Sequence, residues 1–231
     1  MMLAARGAFL AARRKPKWTN PYVTDGLVAM WDGEWNAGPG RSDPTTGQIV
    51  DLCGGEPFVV NTAKGTLTGH SLLFNGRSAT CNRTMTDFGT VECVARLDSG
   101  RIIFYGCTRY NTGSTHNDFY ALKRTIASLE MCWAQGRICT AVPYPSYGLT
   151  INMSRSGENT YKNAVLQTRV SSGNTWDNQT VIDIGGRVST TAYDGAGEFF
   201  TLRVYSQELT AEEIAANYAV DKARFNLPDA T

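Results

Sequence analysis

The sequence predicts an all-β sandwich closed by one short C-terminal helix, and three observations predict it. Short apolar or alternating segments recur along the chain, separated by clusters of Gly, Pro, Ser, Asp, Asn and Thr, at the spacing of sandwich strands. One segment alone, from Leu209 onward, changes to a helical pattern. With 231 residues, 42% hydrophobic and 19% charged, the chain can bury a proper core as a single domain.

In chain order, residues 1–23 read as a basic arm and 24–231 as the folded domain. The arm carries Arg6, Arg13, Arg14, Lys15 and Lys17 and no acidic residue, which leaves 17 basic against 21 acidic side chains elsewhere. Its Ala-rich start suits a short helix from Met1 to about Ala12, ended by Lys15-Pro16. Arg6 interrupts the apolar run and the basic cluster follows it, the reverse of a secretory signal. No stretch approaches the roughly 18 apolar residues of a membrane span.

Gly26–Trp31 reads as the first strand, with Asp32-Gly33 as its turn. Leu72–Phe74, Thr90–Leu97, Arg101–Gly106, Gly148–Met153, Ala164–Val170, Val181–Ile184 and Glu198–Tyr205 follow as strands. Gly38–Gly47, Asp98–Gly100, Thr112–Asn117, Pro143–Gly148, Ser154–Asn159 and Ser171–Asn178 read as loops. In the last strand, strict alternation sends Phe200, Leu202 and Val204 to one face and Thr201, Arg203 and Tyr205 to the other. Thr210 then suits a helix N-cap, Glu213 completes a capping box, and Leu209 and Ile214 form a hydrophobic staple. The helix runs from Ala211 to about Arg224, with Ile214 and Tyr218 on its buried face.

These words resemble a concanavalin A-like, laminin-G-like jelly-roll domain of the type found in bacteriophage structural proteins. The resemblance rests on Gly-Leu-Val-Ala-Met-Trp-Asp-Gly at 26–33, Ser-Leu-Leu-Phe-Asn-Gly at 71–76, Thr90–Leu97, and above all on 197–218, where Arg-Val-Tyr leads into Leu-Thr-Ala-Glu-Glu-Ile-Ala-Ala-Asn-Tyr. It covers residues 24–225 and is weak from Thr108 to Tyr147. It implies a jelly roll and, since the chain shows no secretory pattern, a protein assembled in the host cytoplasm and exposed on a virion after lysis. The expected role is a non-enzymatic virion component, a capsid decoration or a head or tail fibre part, whose arm docks on a capsid or tail protein of the same particle. A host-surface glycan is a further expected partner, and self-association stays open. The alternative is a free carbohydrate-binding module or lectin, and a third reading is a glycoside hydrolase.

The chemistry-bearing residues favour binding over catalysis. Glycosidases of this fold need two carboxylates flanking the sugar bond, and no Glu-x-Asp-x-x-Glu strand word is present. Neither a phosphate-binding glycine loop nor a Gly-x-Ser-x-Gly elbow occurs. Glu212 and Glu213 read as helix-start charge and Asp183 as a strand end. Loop aromatics Tyr110, Trp133, Tyr144, Tyr147 and Trp176 are the candidate sugar platforms. Asp32, Asp43 and Asp51 could offer oxygen ligands to calcium but lack loop spacing for it, and His70 and His116 are far apart, so no metal or other cofactor is expected. The six cysteines, without tight spacing, are expected to be buried free thiols.

Overall fold

The computed structural model describes residues 20–35, 47–83, 89–100, 103–107, 119–120, 123–124, 129–133, 138–142, 147–168, 181–186 and 194–230. The arm residues Arg6, Arg13, Arg14, Lys15 and Lys17, the helix expected at 1–12, and the loops expected at Thr112–Asn117 and Ser171–Asn178 lie outside them, as do most of the Gly38–Gly47 and Pro143–Gly148 loops.

The strands are β1 (Leu27–Asp32), β2 (Gln48–Ile49), β3 (Phe58–Val60), β4 (Gly65–Leu67), β5 (Leu72–Asn75), β6 (Ala79–Cys81), β7 (Thr90–Gly100), β8 (Phe104–Cys107) and β9 (Phe119–Tyr120). They continue as β10 (Lys123–Arg124), β11 (Leu129–Trp133), β12 (Ile138–Val142), β13 (Thr150–Ser156), β14 (Asn159–Lys162), β15 (Val165–Leu166), β16 (Val181–Ile184) and β17 (Gly195–Tyr205). One helix, α1 (Ala211–Phe225), follows. The protein is an all-β sandwich of two antiparallel sheets with a single short C-terminal helix. An eight-stranded sheet runs β15-β14-β13-β7-β17-β5-β4, with β1 also on β17, and a six-stranded sheet runs β2-β3-β6-β16-β8-β9. A small third sheet holds β10-β11-β12.

The core lies between the two large sheets. Trp31, Leu72, Phe74, Cys93, Ile151, Phe199, Leu202 and Val204 of the eight-stranded sheet meet Ile49, Phe58, Cys81, Ile182 and Ile184 of the six-stranded one. Phe58 is the central knob, edge-on to Trp31 at 5.0 Å between centroids and to Phe199 at 6.2 Å. Such aromatic pairs add about 0.5–1.5 kcal/mol each beyond the area they bury.

β17 organises the larger sheet. One edge pairs along its length with β7, while the other serves β5 over Ala196–Phe199 and β1 over Thr201–Tyr205. Where β1 gives way to β5, Gly33 donates its N–H to the Phe200 carbonyl at 2.8 Å, and a Cβ there would stand 2.6 Å from the Ser71 Cα. Only glycine fits that junction. Against β7, Phe199 opposes Ala95 and Thr201 opposes Val94, so Phe200 is an extra, bulged residue.

That bulge corrects the strict alternation expected from the sequence. Phe199, not Phe200, joins Leu202 and Val204 in the sandwich core, and Phe200 lies outside it, 5.2 Å from the Phe225 ring of α1. One inserted residue reverses the phase of everything before it. Three loop boundaries also move. β7 runs on through Asp98–Gly100, and β13 runs to Ser156, so the expected 154–159 loop shrinks to a turn. Asn163 and Ala164 adopt left-handed φ values of 50° and 62° in the β14–β15 turn, which removes Ala164 from the strand expected to begin there.

The helix follows its sequence signals. Thr210 Oγ1 accepts from Glu213 N at 3.2 Å and Glu213 Oε2 accepts from Thr210 N at 2.8 Å, completing the capping box. Leu209 and Ile214 share one buried cluster with Tyr205 and Tyr161. Asn226, left-handed at φ 50°, stops the helix one residue beyond the expected end. Cys81 and Cys93 are buried free thiols, but Cys53 is exposed, because the Asp51 carboxylate accepts the N–H groups of Cys53 and Gly55 and curls that turn outward. Among the described residues no helix is long and apolar enough to cross a membrane.

Candidate functional site

The loop-aromatic platform expected from the sequence falls largely outside the described residues: Tyr110, Tyr144 and Trp176 are not among them, and Trp133 is described only as a β11 strand position. Tyr147 is 39% exposed and donates its hydroxyl to the Gly100 carbonyl at 3.2 Å. The two described carboxylates considered for calcium are already engaged. Asp32 takes both terminal nitrogens of Arg224, at 2.8 and 2.9 Å, along with the N–H groups of Glu34 and Trp35. Asp51 binds Arg83 and the N–H groups of Met30, Cys53 and Gly55. Asp43 lies outside the described residues, among which no group of three or more His, Cys, Asp or Glu side chains could hold a metal ion.

Two polar clusters sit on opposite outer faces of the sandwich. The first lies under α1. Leu202 and Val204 point into the core, so Arg203 between them takes the outer face of β17, as does Glu92 directly opposite on β7. Arg203 donates to Glu92 at 3.1 Å and in two bonds to Asp221 of α1, at 2.9 and 2.6 Å. Asn217 donates to Glu92 at 2.7 Å, Asn152 to Asp221 at 2.8 Å, and Ser154 to Glu92 at 3.2 Å. Tyr22 donates its hydroxyl to Asp221 while its ring lies 3.8 Å from the Arg203 guanidinium carbon. Burial pushes Glu92 above the ordinary carboxylate range and Tyr22 above the ordinary phenol, with Arg203 opposing both. Arg203, Glu92, Asn217 and Asp221 are fully buried. This cluster cannot meet a ligand without lifting the helix; its work is to bolt α1 to the sheet. Asn152, the first residue of a sequence matching a glycosylation acceptor, is buried inside it.

The second cluster is on the outer face of the six-stranded sheet. Ile182 and Ile184 enter the core, so Asp183 between them takes the other face. Cross-strand register puts Gln48, Val59, Thr80, Asp183, Tyr105 and Tyr120 in one row, each directly opposite the next. Asp183 Oδ1 accepts from Thr80 Oγ1 at 2.7 Å and from Arg77 Nε at 2.9 Å. Its other oxygen, Oδ2, is buried without a hydrogen-bond partner. Burial raises the Asp183 pKa above the ordinary carboxylate value, and the bonds from Thr80 and Arg77 pull against it. Leaving an acceptor unpaired in a buried site costs about 1–3 kcal/mol, so a donor brought there from outside would be welcome.

Asp183, expected at a strand end, is the next-to-last residue of β16, with a strand paired on either side, and the sequence signal that marks it is Val-Ile-Asp-Ile, one carboxylate in an otherwise apolar strand.

No protein-family model and no curated protein sequence matches the chain. Solved structures do. A sialidase from Trypanosoma rangeli, in complex with 2,3-difluorosialic acid as a covalent intermediate, superposes with a TM-score of 0.62 at 13% identity. The match covers 86% of this chain and 33% of the sialidase. Domain 4 of AbnA, a GH43 extracellular arabinanase from Geobacillus stearothermophilus in complex with arabinotriose, matches at TM-score 0.52 and 14% identity, over 83% of this chain and 98% of that domain. The binding domain of botulinum neurotoxin serotype D matches at TM-score 0.56 and 10% identity, over 85% and 52% of the two chains. At these identities the shared property is the β-sandwich fold.

Proposed function

We propose that this chain is a glycan-recognising β-sandwich module that works by binding rather than catalysis, with the outer face of the six-stranded sheet around Asp183 as its contact surface. The observation that carries the reading is Asp183 Oδ2, unpaired although the side chain is fully buried, which a sugar hydroxyl would satisfy once the partly exposed Arg77 side chain swings aside. Arg77, with 31% of its side chain exposed, carries the site toward solvent, and Val59, 54% exposed, lies in the same row. Tyr105 and Tyr120 occupy the next two positions of the row. Carboxylate and aromatic positions in one register row, with the Arg77 guanidinium bonded to the carboxylate, suit a saccharide, which presents hydroxyls at its rim and an apolar C–H face. Two of the fold neighbours are themselves captured with saccharides.

Binding without hydrolysis is favoured by the sequence, which carries no Glu-x-Asp-x-x-Glu strand word for the two carboxyls that a glycosidase places about 5–9.5 Å apart at the sugar. Asp32, Asp51, Glu92 and Asp221 are, like Asp183, buried and each held by an arginine. The chain also covers only a third of the sialidase's length. The test is a titration of the wild type, Asp183→Asn and Tyr147→Ala against immobilised sialosides and arabino-oligosaccharides. Binding lost in Asp183→Asn and kept in Tyr147→Ala supports the sheet face; the reverse pattern returns the site to the loop aromatics, and a silent wild type overturns glycan recognition.

The finer reading, a virion component docked through Arg6, Arg13, Arg14, Lys15 and Lys17, rests on the sequence resemblance. One geometric fact is compatible with it. Tyr22 and Val23, just after the arm, are tied to Asp221 and Asn217 of α1, on the opposite side of the sandwich from Asp183. Deletion of residues 1–20 should abolish incorporation into particles, read by copy number in salt-washed virions; normal incorporation overturns the anchor.

A further inference from the structure

β11 and β12 bring two of the six cysteines to directly opposite positions. Their ladder pairs Leu129 with Val142, Glu130 with Ala141, Met131 with Thr140, Cys132 with Cys139 and Trp133 with Ile138. Directly opposed residues of an antiparallel pair share a face, with Cα atoms about 4.5–5.5 Å apart. A disulfide spans Cα separations of about 4.4–6.8 Å. The ladder thus places the two Cα atoms within the span of a disulfide.

Among the described residues the other cysteines have no such neighbour in register. Cys81 opposes Ile182, Cys93 opposes Met153 and Leu202, and Cys107 opposes Val181. Cys53 sits in the turn after Asp51. Burial pushes the Cys81 thiol up to about 12 and Cys93 higher still, and partial desolvation of the Cys53 sulfur, whose residue is otherwise exposed, together with the Asp51 charge pushes Cys53 up to about 11, so these three hold little thiolate for exchange. Cys132 and Cys139 are the one opposed cysteine pair among the described residues.

We propose that Cys132 and Cys139 form a cross-strand disulfide that staples the β11–β12 hairpin. The oxidant is a small-molecule disulfide such as oxidised glutathione. One cysteine thiolate attacks it, forming a mixed disulfide and releasing one small thiol. The second thiolate attacks the protein sulfur of that mixed disulfide, closing the bond and releasing the other small thiol, so two protein thiols are oxidised and one disulfide is reduced. The staple matters here because, among the described residues, the three-stranded sheet shares no strand pairing with either large sheet, and β10 pairs with β11 over two residues. Closing the loop between positions 132 and 139 limits the freedom of a hairpin that has little other pairing.

Arg137 lies between the two cysteines, so trypsin separates them into peptides 125–137 and 138–155. The folded full-length chain is equilibrated in glutathione buffers from reducing to oxidising, quenched with an alkylating agent and digested without reductant. The expected result is a linked 125–137/138–155 pair, two hydrogens lighter than the sum of its parts, which appears before any other cysteine linkage and comes apart on reduction. Recovery of both peptides alkylated at the oxidising end overturns the proposal, and so does a link from either one to another cysteine. In Cys139→Ser, peptide 125–137 should carry the alkyl group at every buffer ratio. If that variant does not fold, the wild-type linkage map still decides.

Discussion

The two outer faces of the sandwich use the same chemical parts to opposite ends. Under α1, Arg203 meets Glu92 and Asp221 with Asn152, Asn217, Ser154 and Tyr22 supplying the remaining bonds, and the helix seals the set from water. On the six-stranded sheet, Asp183 meets Arg77 and Thr80, but one carboxylate oxygen is left over and the arginine reaches solvent. A closed polar network fixes one packing of helix on sheet; an incomplete one is a place for something else to bind.

The largest effect should come from breaking the closed network. Asp221→Ala leaves the Arg203 guanidinium buried with half its partners, and should cost about 3–5 kcal/mol in urea unfolding. Replacing Arg203, Glu92 and Asp221 together by apolar residues of similar volume should cost less than Asp221→Ala alone, because no charge is then left stranded. If the triple replacement costs more, the network stabilises by more than mutual neutralisation, and the comparison with Asp183 must be redrawn.

The open cluster should behave in the opposite way. Asp183→Asn should weaken glycan binding by at least about tenfold, a difference of about 1.4 kcal/mol, while leaving the urea midpoint unchanged or higher. A fall in stability like that of Asp221→Ala would make Asp183 a second structural bolt. The helix start gives a smaller, local reference: Thr210→Ala removes the cap and should cost about 1 kcal/mol without touching glycan binding.

The smallest effect is a pH slope. Burial holds the Asp183 pKa above its ordinary value, so protonation favours the folded chain. Its contribution is fully present below the unfolded pKa of about 3.9 and is lost as pH rises through the folded value. Asp183→Asn carries no such titration, so its stability relative to the parent should increase from about pH 4 to about pH 7, measured by urea midpoints. A constant difference would mean that Arg77 and Thr80 fully compensate the buried charge.

Several readings were available from local pattern because local forces decide them. The capping box at Thr210 and Glu213, the staple of Leu209 and Ile214, and the short strand at Val181–Ile184 each depend on residues a few positions apart. The Phe200 bulge was invisible to alternation, because it exists only where β17 lies against β7. The site was less legible than the fold. Alternation in Val-Ile-Asp-Ile could put Asp183 on a polar face, but its partners Thr80 and Arg77 come from about a hundred residues away. The loop aromatics Tyr110, Tyr144 and Trp176 lie outside the described residues, so the structure joins nothing to them.

The sequence by itself determined the β class, the final helix with its cap, and the basic arm's composition, since these follow from hydrophobic period, capping chemistry and charge along the chain. The tertiary structure alone decided that Arg203 is bolted beneath α1, that Asp183 keeps a free acceptor on the opposite face, and that Cys132 is in register with Cys139. Each of those depends on which strands become neighbours and in what register, and antiparallel pairing joins residues whose separation in sequence carries no mark of the contact.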